Sequence, residues 1–245
     1  QRLLELLEQE PTYERDFRRS FPEHPSQEPF SWSLAINAIA NFERSLVSLD
    51  SPWDKWRAGE ENAISPSAKR GFDLFKSERL GCSSCHAGLF FSLAFSENEM
   101  VAPIEEAFRN TGLYFVENGP AAYWNGAITH YPDGNQGLGE FTQDPKDDGK
   151  HRIPSLRNVA LTAPYMHDGS VPDLERVLEH YANGGRFIAS GPHAGDGRIN
   201  PNKDPILSGF QLTEPERVDL LAFLRSLTDT RFVSRFSKES LERSQ

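Results

Sequence analysis

The chain has 245 residues, and its 26 Lys+Arg against 36 Asp+Glu leave a formal net charge of −10. That balance repels phosphate backbones and anionic lipid surfaces and argues against nucleic acid or a membrane as partner. The length can bury a sizeable core in one large or two small domains, and no apolar run approaches what a bilayer span requires. The chain opens on Gln1 rather than on a methionine and a signal sequence, so it reads as a mature protein or a fragment.

Leu3, Leu4, Leu6 and Leu7 begin a short amphipathic helix that stops before Pro11. A longer apolar-periodic stretch from about Ser33 to Leu49 forms one unit with it. Ser51-Pro52-Trp53 breaks the pattern, which sets a boundary near residue 51 and predicts two parts, 1–50 and 51–245. Ser65-Pro66 is an N-cap followed by proline in the first turn, and the helix from Pro66 to about Lys76 carries Phe72, Leu74 and Phe75.

Cys82-Ser83-Ser84-Cys85-His86 follows directly and contains the only two cysteines of the chain. C-x-x-C-H is the attachment motif of a c-type haem: two thiols add to the two vinyl groups of one porphyrin, and the adjoining imidazole reaches the iron. A zinc site would need a second Cys/His pair at ligand spacing, and a thioredoxin-type pair would lie in a βαβ context without the histidine. Covalent haem c on Cys82 and Cys85, with His86 as axial ligand, is therefore expected. Haem c is assembled outside the cytoplasm, which places the protein in the periplasm.

From Gly88 to Lys150, Gly, Pro, Asn and Asp dominate, so loops and short elements are expected over the haem. Between Pro172 and Tyr181, residues Leu174, Val177, Leu178 and Tyr181 share one helical face, with His180 pointing elsewhere. Gly184-Gly185 ends that helix, and Thr213-Glu214-Pro215-Glu216 is a capping box opening a last helix whose core face is Leu220, Leu221, Phe223, Leu224 and Leu227. Strong strand signals are absent, and the fold reads as mostly α. The sixth iron position is open to Met100, Met166, another histidine, Tyr165 or Tyr181. Trp53 and Trp56 carry oxidisable indoles at the expected boundary, where they serve either electron transfer or ordinary aromatic packing. His24, His130, His151 and His193 sit in polar loops where solvation is the default, and His167 reads as a structural group beside the haem pocket.

The stretch from Ile153-Pro154-Ser155-Leu156-Arg157-Asn158 to Thr162-Ala163-Pro164-Tyr165-Met166-His167-Asp168-Gly169-Ser170 closely resembles the segment after the second haem motif of bacterial dihaem cytochrome c peroxidases and MauG-like enzymes. Ala38-Ile39-Ala40-Asn41-Phe42-Glu43-Arg44 resembles the helix linking the two haem domains of that family, with Ser51-Pro52-Trp53-Asp54 following. His180-Tyr181-Ala182-Asn183-Gly184-Gly185-Arg186 and Gly209-Phe210-Gln211-Leu212-Thr213 are most similar to the MauG relative MbnH. The family's N-terminal haem motif has no counterpart here. The resemblance implies a mostly α, cytochrome c-like haem domain at 51–245 with long loops, preceded in 1–50 by the trailing helices of another haem domain.

It further implies that Tyr181 stands where the peroxidases place a methionine ligand and MauG-like enzymes a tyrosine. Met166 matches a position often held by phenylalanine, and Thr162 and Pro164 match main-chain ligands of a calcium ion. A phenolate favours the higher oxidation states of iron, whereas a thioether favours the ferrous form. Arg152 and Arg157 are candidates for pairing with haem propionates, or else for surface salt bridges. The implied activity is hydrogen peroxide-dependent oxidation of a residue of a partner protein, plausibly tryptophan, with Trp53 and Trp56 on the electron path and, by likeness to MbnH, a copper-binding partner. The rivals are a peroxidase that reduces peroxide with electrons from a small redox protein, and a monohaem electron carrier.

Overall fold

A computed structural model of the chain describes residues 2–24, 30–94, 103–116, 121–124, 127–130 and 136–231. Its contacts divide it into two units, Gln1–Ser48 and Leu49–Gln245.

The first unit holds α1 (Arg2–Glu8), α2 (Pro11–Ser20) and α3 (Trp32–Ser45). The sequence reading ended the first helix before Pro11 and missed α2, which that same proline opens from the first turn. α3 starts where the Ser31 hydroxyl accepts from the Leu34 amide at 3.2 Å, and it ends at Ser45, short of the expected Leu49. Phe17 packs edge-on against Phe30 at 5.2 Å, while Trp32, Ile36, Ile39 and Phe42 line an exposed apolar face of α3.

The second unit begins with α4 (Pro52–Arg57), a helix read from sequence only as a break. Its signal was present: Ser51 and Asp54 cap each other's backbone in a full capping box, with proline at the first position. α5 (Pro66–Lys76) has its predicted bounds and Ser65 cap. After the haem motif come α6 (Ile104–Ala107), β1 (Phe108–Arg109), β2 (Ala121–Trp124), β3 (Ala127–His130), α7 (Gly139–Thr142) and β4 (His151–Arg152). Then follow α8 (Leu174–Ala182), β5 (Phe187–Ile188), β6 (Gly195–Asp196) and α9 (Glu214–Ser226). The strands form antiparallel ribbons β1–β4, β2–β3 and β5–β6. Most are two residues long, which is too short for alternation to register in sequence.

The main core is the crossing of α5 and α9. Leu220, Leu221, Phe223, Leu224 and Leu227 are all buried there with Phe75, Phe91, Leu174 and Leu178, as the helical phase of the last helix requires. The crossing is close because residue 71 is glycine: a Cβ there would lie 1.9 Å from the Asp219 carbonyl oxygen. Asp219 closes the same crossing, accepting from Arg70 through two bonds of 2.7 Å and from the Ser67 hydroxyl at 2.6 Å. Those bonds hold its carboxyl below the ordinary aspartate range.

α8 starts at the Asp173 cap and ends at Gly184, whose φ of +67° suits glycine. One expectation is corrected here. His180, read as pointing elsewhere than the core face, is itself buried, because the loop at Thr111 covers it and its Nε2–H donates to the Thr111 carbonyl at 3.0 Å. Burial pushes this imidazole down to about 4, so it is neutral at pH 7.

Candidate haem site

α5 delivers the chain to Gly81, which takes a φ of +65° and starts a 3-10 turn at Cys82–Ser84. The turn closes with the Cys85 and His86 amides both donating to the Cys82 carbonyl, at 3.2 and 2.9 Å. Both thiols are free and half-buried, on different walls: Cys82 packs against the α5/α9 core, Cys85 against the cluster of Ala94, Ala107 and Ile153. Burial pushes the Cys82 thiol up to about 12 and raises Cys85 as well, so both stay protonated at neutral pH.

After the motif the chain folds back on itself. The Ser92 amide donates to Ala87 and the Leu93 amide to Cys85, each at 2.9 Å. The return brings the Phe91 carbonyl to 3.1 Å from His86 Nδ1. A carbonyl can only accept, so Nδ1 carries the proton, the tautomer a metal-bound imidazole needs, and the Pro154 carbonyl is a second backbone acceptor that bears on the ring. Burial lowers the His86 pKa, which keeps the ring neutral.

Tyr181, on α8, comes from the opposite end of the sequence to the same place. Burial raises its phenol well above the ordinary range, with Cys85 and Cys82 near enough to add to the shift. It makes no hydrogen bond among the described residues. A phenol and two thiols in one neighbourhood, an imidazole protonated on Nδ1 and two apolar walls fit a covalently tethered haem. Among the other candidates, Tyr165 donates its hydroxyl to the Val159 carbonyl at 2.9 Å, and Met166 packs against Leu113, Tyr114 and Val116. Met100 lies outside the described residues.

The two arginines part company. Arg157 is buried, and its two terminal nitrogens bind the Asp54 carboxylate at 2.8 and 2.9 Å while Nε donates to the Leu89 carbonyl at 2.8 Å. Of the two readings of Arg157, a haem propionate or a salt bridge, the structure shows a salt bridge, a buried one with Asp54. Arg152 is exposed and donates to the Ala94 carbonyl at 3.0 Å. Its neighbour His151 is not a free loop histidine: its ring stacks on that of His167 at 3.6 Å.

Trp53 packs edge-on against Phe91 at 4.8 Å and against Phe72 at 5.9 Å, and Trp56 meets Phe72 at 5.8 Å. The two indoles thus share one aromatic cluster with Phe72 and Phe91, and the buried Trp53 Nε1 has no hydrogen-bond partner among the described residues. Thr162 and Pro164 lie on an exposed loop, and neither carbonyl accepts a hydrogen bond there. Sequence reasoning missed Arg109 and Asp204, an ion pair at 2.8 Å that lies against Cys85. Nothing local marks it, since its members are brought together only by the fold.

Comparison with known proteins places these residues in a family. The family model for di-haem cytochrome c peroxidase matches residues 1–62. Methylamine utilization protein MauG of Methylorubrum extorquens is 32% identical over 228 residues, covering 92% of this chain and 52% of MauG. Cytochrome c peroxidase Ccp of Escherichia coli is 33% identical over 72% of this chain and 32% of its own length. A solved MauG-like protein associated with microbial copper homeostasis is 41% identical with a TM-score of 0.77, over 93% of this chain and 61% of its own. The chain thus spans about half the length of the MauG relative it matches. It belongs to the dihaem cytochrome c peroxidase/MauG family, whose cofactors are c-type haems.

Proposed function

We propose that the chain is the C-terminal haem part of a periplasmic, MauG/MbnH-type dihaem enzyme that uses hydrogen peroxide to oxidise a tryptophan of a partner protein. The observation that supports this reading is a Tyr181 phenol buried in the neighbourhood of the two cysteines of the C-x-x-C-H motif and without a hydrogen bond among the described residues. Haem c, when bound, supplies reversible one-electron chemistry at iron. Cys82 and Cys85 would tether it, and His86 through Nε2 and Tyr181 through its phenol oxygen would hold the iron. A phenolate at Tyr181 would favour the oxidised form of the metal. Trp53 and Trp56 then extend an oxidisable path through Phe91 and Phe72.

The exposed carbonyls of Thr162 and Pro164 would serve a calcium ion as hard-oxygen ligands, and Arg152 remains the arginine proposed for a propionate. The exposed apolar face of α3 supports reading 1–50 as helices that pack on a further haem domain. Likeness to a protein associated with copper homeostasis supports a copper-binding partner.

The test is to mix full-length holoprotein, peroxide and a copper-binding partner and weigh the partner. An added-oxygen mass shift is expected, and calcium removal should suppress it without releasing haem. Peroxide consumption that requires a reduced redox protein and leaves the partner's mass unchanged would overturn the proposal in favour of a peroxidase.

A further inference from the structure

Leu89, Phe90 and Phe91 offer three successive carbonyls, and each is taken by a different side chain. Arg157 Nε donates to Leu89 at 2.8 Å, Ser155 Oγ to Phe90 at 2.6 Å, and His86 Nδ1 to Phe91 at 3.1 Å. The segment does not hold this shape by itself: Phe91 is a non-glycine residue at a φ of +51°, in the left-handed region that side chains disfavour. What holds it is external. Ser155 and Arg157 come from a stretch more than 60 residues downstream.

Arg157 is itself fixed. Both terminal nitrogens of its fork are bound to Asp54, and Asp54 is fixed in turn by the capping box of α4, accepting from the Ser51 amide at 2.9 Å and the Ser51 hydroxyl at 2.7 Å. The pair is buried, with side-chain exposures of 5% and 14%, and the guanidinium lies 5.9 Å from the ring centres of both Trp53 and Phe91. A buried ion pair is poor evidence of added stability, since desolvation offsets the attraction, and its best-attested use is to specify one geometry. Here the geometry it specifies ends on the proton of the expected iron ligand.

We propose that Asp54 and Arg157, with Ser155, are positioning residues for the proximal histidine: they aim the Phe91 carbonyl at His86 Nδ1 and so set the electron donation of Nε2 to the haem iron. This rests on the haem reading above. A firm Nδ1–H···O bond makes an imidazole a stronger donor and favours ferric iron. Loosening the segment weakens the bond and shifts the couple toward ferrous.

The test compares full-length holoprotein with Arg157→Lys, Asp54→Asn and the milder Ser155→Ala. Covalent haem mass should be retained in all three, and the ferrous Fe–His stretching frequency should fall. The midpoint potential of the haem on this chain should rise most in Arg157→Lys, by about tenfold in the ferric-to-ferrous ratio, which is about 59 mV for one electron. Ser155→Ala gives the readout if either pair variant fails to fold. Unchanged potentials and Fe–His frequencies in every variant that folds would overturn the proposal and leave the pair a purely structural contact. Absence of covalent haem from the unmodified protein would instead overturn the haem reading itself.

Discussion

Asp219 shows how a single side chain is made to serve a helix crossing. Its carboxyl accepts from Arg70 and Ser67 and is thereby held below the ordinary aspartate range, about 3.9 in an unfolded chain. The folded state therefore binds this proton less readily than the unfolded one. The contribution is complete above about pH 4 and is lost as pH falls through the folded value. Because Arg70 is largely exposed, the contribution is modest. Asp219→Asn should cost about 1 kcal/mol at pH 7 in denaturant unfolding, and the gap to the unmodified protein should close below about pH 4. A gap that persists unchanged into acid would show that the carboxylate charge is not what matters there. The same logic makes individual residues unevenly legible. Cys82, Cys85 and His86 are contiguous and declare their chemistry, whereas Arg157 stood between a propionate and a salt bridge because its own partner, Asp54, lies 103 positions away. His180 and Tyr181 are neighbours on one short helix, and periodicity alone gave the core to Tyr181 and left out His180, which Thr111 draws inward.

At the scale of elements, the helices that carry the site were readable wherever cap and apolar phase agreed, as in α5 and α9. α4 escaped because six residues show too little periodicity, although Ser51-Pro52-Trp53-Asp54 repeats the cap logic recognised at Ser65-Pro66. The two-residue ribbons were unreadable for the same reason of length. The close approach of α5 to α9 depends on Gly71, where an added methyl would meet the Asp219 carbonyl oxygen at 1.9 Å and the Phe223 Cβ at 2.9 Å. Gly71→Ala should therefore separate the helices and cost about 2–3 kcal/mol, seen as a clear drop in Tm of the holoprotein. An unchanged Tm would mean that the crossing yields without loss. Since the helix also leads into the haem motif, the damage should extend to the haem spectrum.

For the whole molecule, sequence resemblance reached further than pattern. The family was legible because Ile153 to Ser170 lines one wall of the site: Leu156, Val159, Ala160 and Tyr165 pack against the core that also holds Cys82. The proposed pairing of His86 with Tyr181 is a different matter, since 95 positions separate them and only the fold brings α8 back to the motif. Phenolate ligation by Tyr181 is read most directly by resonance Raman spectroscopy of the ferric full-length holoprotein beside its Tyr181→Phe variant. Tyrosinate modes should be present in the unmodified protein and absent from the variant, with one covalent haem retained on this part of the chain in both. A holoprotein without tyrosinate modes, or a Tyr181→Phe variant that keeps them unchanged, would contradict the assignment and return Tyr181 to the core.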